Sequence, residues 1–108
     1  MTDVEYQTRQ LIREIRKSNE YNQFRRLAAK LGRDPELKEE VDSYRRKRFE
    51  LQNAEGGAVG LLQLEKEYED VLVKSVVRDF LVSEQKLMYM IQNTVLAITD
   101  AVGLDLEL

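Results

Sequence analysis

From Val77 to Val102 apolar side chains return every three or four residues. Val77, Phe80, Leu81, Leu87, Met88, Ile91, Val95, Ile98 and Val102 fall on one stripe, with Glu84 as its one carboxylate. That period belongs to an α-helix and not to a strand. At 1.5 Å per residue, a helix from Val76 to Ala101 is about 39 Å long. A compact chain of 108 residues has a radius of gyration near 13 Å, hence a diameter of roughly 34 Å. A helix that long cannot hide its stripe inside a spherical monomer. Something must cover it, and a second copy related by two-fold symmetry is the simplest cover.

The rest of the chain reads as helices too, about five in all. Val4, Thr8, Leu11, Ile12 and Ile15 share one face of a first helix, with Thr2 or Asp3 placed to cap it. Ser18-Asn19 interrupts the pattern, and either side chain suits the cap of a second helix carrying Tyr21, Phe24, Leu27, Ala28 and Leu31. Gly32-Arg33-Asp34-Pro35 is the clearest punctuation. Gly32 suits a left-handed helix end, Asp34 the next N-cap, and Pro35 the first helical turn. The third helix has a narrow seam of Leu37, Val41, Tyr44, Arg48 and Leu51. Gly56-Gly57 then predicts a break, since two glycines cost about 2 kcal/mol of helix propensity relative to alanine. A fourth helix places Leu61, Leu64, Tyr68, Val71 and Leu72 on one face, Ser75 is the expected cap of the fifth, and Gly103 ends it. The expected organisation is one helical domain over residues 1–103, followed by a flexible acidic tail over 104–108.

Composition removes most chemistry. The chain has no cysteine and no histidine. It therefore supplies no thiolate nucleophile, no cysteine-held zinc or iron–sulfur cluster, and no histidine-based catalytic triad or metal triad. Carboxylate, lysine and tyrosine chemistry remain, and the expectation is a protein that is not an enzyme and carries no cofactor. No run of 18 apolar residues spans a membrane, and Met1-Thr2-Asp3-Val4-Glu5 lacks the basic start of a secretory signal. The expected location is the cytoplasm, without membrane insertion.

Three polar constellations stand out along the chain. Arg45, Arg46, Lys47 and Arg48 form the one dense basic run, flanked by Tyr44 and Phe49. Cations beside aromatics can contact phosphates, but consecutive residues on a helix point about 100° apart. Glu39, Glu40, Asp42 and Glu50 stand nearby to pair with them. A solvated face is favoured, with a partner-docking patch or nucleic-acid contact as the functional alternatives. Glu65, Glu67, Glu69 and Asp70 read as a solvated acidic face, because helical di-metal sites add a histidine that this chain lacks. Glu84 sits in the apolar stripe, where a carboxylate requires a partner. It reads either as a stripe-edge residue bonded to an Arg or Tyr, or as a device that fixes helix register in an oligomer. Charge is also uneven: residues 1–60 hold 13 cations and 11 anions, net +2, and residues 61–108 hold 4 and 9, net −5.

Leu11, Ile15, Ser18, Glu20-Tyr21, then Asp34-Pro35-Glu36-Leu37, and finally Val77, Phe80-Leu81, Glu84 and Leu87 together resemble the YlbF/YmcA family of small bacterial helical proteins. The likeness runs from about Val4 to Val102 and rests on order and spacing. It implies an all-helical, oligomerising protein that acts through other proteins. It also implies a role in regulating competence, biofilm formation and sporulation, in a complex linked to messenger-RNA turnover. Some members of that complex are associated with iron–sulfur clusters, for which this chain has no cysteine ligand.

The sequence therefore predicts an all-α regulatory or adaptor protein that forms a homodimer or higher homo-oligomer. Its interface candidates are Val77, Phe80, Leu81, Glu84, Leu87, Met88, Ile91, Val95 and Ile98. Its partners are expected to be proteins, with an RNA-processing complex among the candidates. The alternative is a nucleic-acid-binding helical module using the basic third helix.

Overall fold

A computed structural model describes residues 2–104, all helix and turn. Six helices follow one another among the described residues: α1 (Asp3–Lys17), α2 (Asn19–Leu31), α3 (Pro35–Gln52), α4 (Gly57–Glu67), α5 (Glu69–Leu72) and α6 (Ser75–Ala101). Residues 105–108, most of the expected tail, lie outside the described residues.

Short-range hydrogen bonds set most of the boundaries. Thr2 Oγ1 accepts from the Glu5 amide at 3.1 Å and opens α1. Asp3 and Glu5 in its first turn and Arg16 and Lys17 in its last both complement the helix dipole. Of the two candidate caps between α1 and α2, Ser18 serves: its hydroxyl donates to the Ile15 carbonyl and accepts from the Tyr21 amide at 3.1 Å. Asp34 caps α3 by accepting from the Leu37 amide at 3.2 Å, with Pro35 in the first turn. Gly103 ends α6 at φ +77°. Its amide bonds the Asp100 carbonyl at 3.1 Å and the Leu104 amide bonds Thr99 at 2.9 Å, the paired bonds of a Schellman end.

Three boundaries differ from expectation. Gly32 is not left-handed, since only Gly56 and Gly103 have positive φ among the described residues. Instead α2 tightens as it ends, the Arg33 and Asp34 amides reaching back three residues to Lys30 and Leu31. Ser75 is the first residue of α6 and not its cap, because the Val77 and Arg78 amides bond the Lys74 carbonyl. The expected fourth helix divides at Tyr68 (φ −101°, ψ 17°) into α4 and α5, which makes six helices where five were expected. The break at Gly56-Gly57 is present, with Gly56 left-handed at φ +68°.

The chain divides into two compact units. One, Leu27–Leu81, holds the end of α2, all of α3, α4 and α5, and the start of α6. It contains every buried hydrophobic residue described: Leu27, Leu31, Leu37, Val41, Tyr44, Leu64, Val77 and Phe80. Each such side chain contributes about 1.5–3 kcal/mol when removed from water. The other unit comprises residues 1–26 and 82–108; its described part is α1, the start of α2 and most of α6. Among its described residues the one buried side chain is Ser83, and α1 has no buried residue.

Candidate functional site

The basic run lies on α3, and its side chains diverge as helical geometry requires. Arg45 reaches Asp42 at 3.2 Å and stands 5.3 Å over the Phe80 ring. Arg48 stands 5.5 Å over the Tyr44 ring of the core. Lys47 turns towards α4, where it donates to the Tyr68 hydroxyl at 3.0 Å, stands 3.5 Å from Glu67 and 5.1 Å over the Tyr68 ring. Arg46 points into solvent. Three of the four cations are thus held by rings and carboxylates of the same unit, a cation–π arrangement that sequestered guanidinium and ammonium groups favour.

Tyr68 joins two helices. Its hydroxyl is 3.0 Å from Ser43 Oγ as well as from Lys47, and its ring meets Tyr44 at a centroid distance of 5.5 Å, tilted by 58°. The hydrogen bond with Ser43, and then that from Lys47, lower the tyrosine's pKa from its ordinary value. The Tyr68 hydrogen bond in turn raises that of Lys47, with Glu67 adding to it. Burial alone would push Asp42 up, but the hydrogen bonds and charges of Lys38, at 2.7 Å, and Arg45 outweigh it and hold the carboxyl below its ordinary value. Sequence reasoning missed this cluster. Its one signal was the four-residue spacing that places Ser43 and Lys47 on the same side of α3.

Glu65, Glu67, Glu69 and Asp70 are exposed, and no group of three or more potential metal ligands gathers among the described residues. Glu84 is half-buried on α6.

The interface candidates on α6 separate into two sets. Val77 and Phe80 are 0% and 3% exposed and belong to the core of their own unit, so they are not available to a second copy. Leu81 and Leu87 are half-buried. Met88, Ile91, Val95 and Ile98 remain open, at 37–51% exposure. The structure adds α1, which the sequence had not offered as a surface. Val4 and Leu11 line an open apolar groove together with Ile98, edged by Asp3, Gln7 and Thr8. Among the described residues, thirteen of the seventeen exposed large hydrophobic ones lie on the unit of residues 1–26 and 82–108, where no described hydrophobic residue is buried. No described helix is long and apolar enough to cross a membrane.

Comparison with curated proteins finds no match, and comparison with solved structures finds none. The family model described as "Control of competence regulator ComK, YlbF/YmcA" matches residues 4–103. That span takes in α1 from Val4 onward and the whole of α2 to α6, with the punctuation at Asp34-Pro35 and the α6 stripe, and the chain belongs to the YlbF/YmcA family of competence-control regulators.

Proposed function

We propose that the protein is a non-enzymatic cytoplasmic regulator that acts by protein–protein contact and works as a homodimer or higher homo-oligomer. One observation carries this reading: among the described residues, the unit that holds α1, the start of α2 and most of α6 displays apolar stripes and buries no hydrophobic side chain. Monomeric proteins rarely expose contiguous apolar surface of this kind, and large patches mark interaction sites. A chain with no histidine or cysteine has a narrow catalytic repertoire, whereas a regulator needs only a surface and a partner. Membership of a family of competence-control regulators agrees with that role.

The test is capture of partners by the wild type and by Ile98→Asp, from the native host after mild cross-linking. The wild type is expected to hold a defined protein at high salt, and Ile98→Asp to lose it while a competence reporter in the host shifts. Binding that instead follows nucleic acid, with a log–log salt slope near −0.9 per contacted phosphate, would overturn the reading in favour of the basic α3 face.

A further inference from the structure

We propose that Tyr68 is a modification site, the acceptor of an activated phosphoryl group, with its hydroxyl set between Ser43 and Lys47 for that chemistry. The site lies wholly within the unit Leu27–Leu81 and is independent of what covers the α6 stripe.

The geometry begins on α3. Ser43 and Lys47 are four residues apart and share one side of that helix. Tyr68 stands at the break between α4 and α5. Its Oη is 3.0 Å from Ser43 Oγ and 3.0 Å from Lys47 Nζ. An ammonium has protons to give and no lone pair to accept with, so Lys47 can only donate. Two such neighbours on one phenol oxygen, one of them cationic, favour its ionised form. The Ser43 hydrogen bond, and then that from Lys47, pull the pKa below the ordinary 10.0, against burial and the charge of Glu67. A hydroxyl is a weak nucleophile until its pKa is lowered or a base takes its proton.

The other tyrosines are not built this way. Tyr6 and Tyr89 are more open, at 53% and 55% exposure, but neither hydroxyl makes a hydrogen bond among the described residues. Tyr44 is buried, and Arg25 stands 5.9 Å over the ring of Tyr21. Accessibility alone ranks the half-buried Tyr68 behind Tyr6 and Tyr89. The setting of its hydroxyl ranks it first.

Lys47 also selects the group. In phosphoryl transfer, negative charge sits on the oxygens of the transferring phosphorus, and a fixed cation beside them stabilises it. An acyl group brings no such charge and has no use for the ammonium. Lys47 is exposed and stands 3.5 Å from Glu67, far enough for an incoming phosphoryl group to draw it away. In the product, the same ammonium bonds the phosphate oxygens with charge assistance. The step balances. The Tyr68 oxygen forms a bond to phosphorus as the bond from phosphorus to its leaving group breaks, the phenol proton passes to solvent, and nothing is oxidised or reduced. The donor class in a cell is a nucleoside triphosphate presented by a transferase, with the nucleoside diphosphate as leaving group.

A limiting amount of an alkyl fluorophosphonate, whose leaving group is fluoride, tests the site on the full chain at neutral pH, with adducts located by peptide mass spectrometry. Tyr68 should be labelled about fivefold or more faster than Tyr6 or Tyr89. Lys47→Met, which keeps the stem but loses the donor, and Ser43→Ala should each cut the Tyr68 rate about threefold or more and leave Tyr6 and Tyr89 as they were. Lys47→Arg should restore most of the rate. The Tyr68 rate should also climb at lower pH in the wild type than in Lys47→Met, a shift that lost packing alone would not produce. Lys47 and Glu67 are the charged groups that set that profile, and Tyr44 is the other titratable group against the ring. Circular dichroism checks that each variant is folded. Adducts ordered by exposure, an adduct on Ser43 in place of Tyr68, no adduct at all, or a Tyr68 rate indifferent to both Lys47→Met and Ser43→Ala would overturn the proposal. The ratio of Tyr68 to Tyr6 needs only the wild type, so a variant that failed to fold would not shelter it.

Discussion

At the scale of single residues, Asp42 and Tyr68 show how polar groups are fixed without deep burial. Asp42 is held by Lys38 and Arg45, and its pKa lies below the ordinary 3.8. A depressed carboxylate contributes stability that is fully present above the unfolded value and is lost as pH falls through the folded one. Asp42→Asn should therefore destabilise by about 0.5–1 kcal/mol at pH 7, the range of partly exposed pairs. The gap between variant and wild type should narrow as pH falls below the ordinary carboxylate value. Urea titrations across an acid pH series measure it, and a gap that does not change with pH would assign the effect to packing. Tyr68→Phe keeps the ring against Tyr44 but removes the hydroxyl that bonds Ser43 and Lys47. A loss of about 0.5–1.5 kcal/mol is expected, and in the wild type the Tyr68 ring should titrate below the ordinary tyrosine value in an NMR pH series.

Among the elements, the α3–α4 turn is the least forgiving. A Cβ on Gly57 would collide with the Leu51 carbonyl oxygen, which is backbone and cannot step aside. Gly56 faces open space but holds φ +68°, where an L-residue costs about 1–2 kcal/mol. Gly57→Ala should thus cost about 1–3 kcal/mol and Gly56→Ala about 1–2 kcal/mol, where a continuous helix would have gained about 1 kcal/mol at each. Thermal melts distinguish the two, and a raised midpoint for Gly57→Ala would contradict the close approach. The turn was legible in the sequence because glycine pairs are local signals. So was the cap at Asp34, while at the other two starts the sequence offered Thr2 or Asp3 and Ser18 or Asn19, of which Thr2 and Ser18 bond an amide three residues on. The split at Tyr68 was not legible. The Tyr68 hydroxyl there is hydrogen-bonded with Ser43, 25 residues earlier, and no window of local periodicity contains that contact.

For the whole molecule, periodicity revealed the apolar face of α6 but not which half of it the chain covers for itself. Val77 and Phe80 belong to the same stripe as Ile91 and Ile98, yet the first pair is buried and the second open. The difference arises from what the chain brings to each end. Leu27, Leu31, Val41 and Leu64 share the unit that ends at Leu81, while the unit with α1 has no counterpart to them among the described residues. Cooperative stability follows buried apolar contacts, and regions with few of them open locally at low free energy. Amide hydrogen exchange should therefore be uneven along a single helix. Amides of α3 and of residues 75–81 should be protected to near the global unfolding free energy at any protein concentration. Amides of α1 and of residues 88–101 should exchange faster in dilute protein, and their protection should rise with concentration as association covers them, in proportion to the occupancy of the bound state. Exchange followed by mass spectrometry across a hundredfold dilution series measures both halves of α6 in the same molecule. Uniform protection along α6 at the lowest concentration would mean that the distal half is stable by itself, and that its exposed stripe has no need of a second copy.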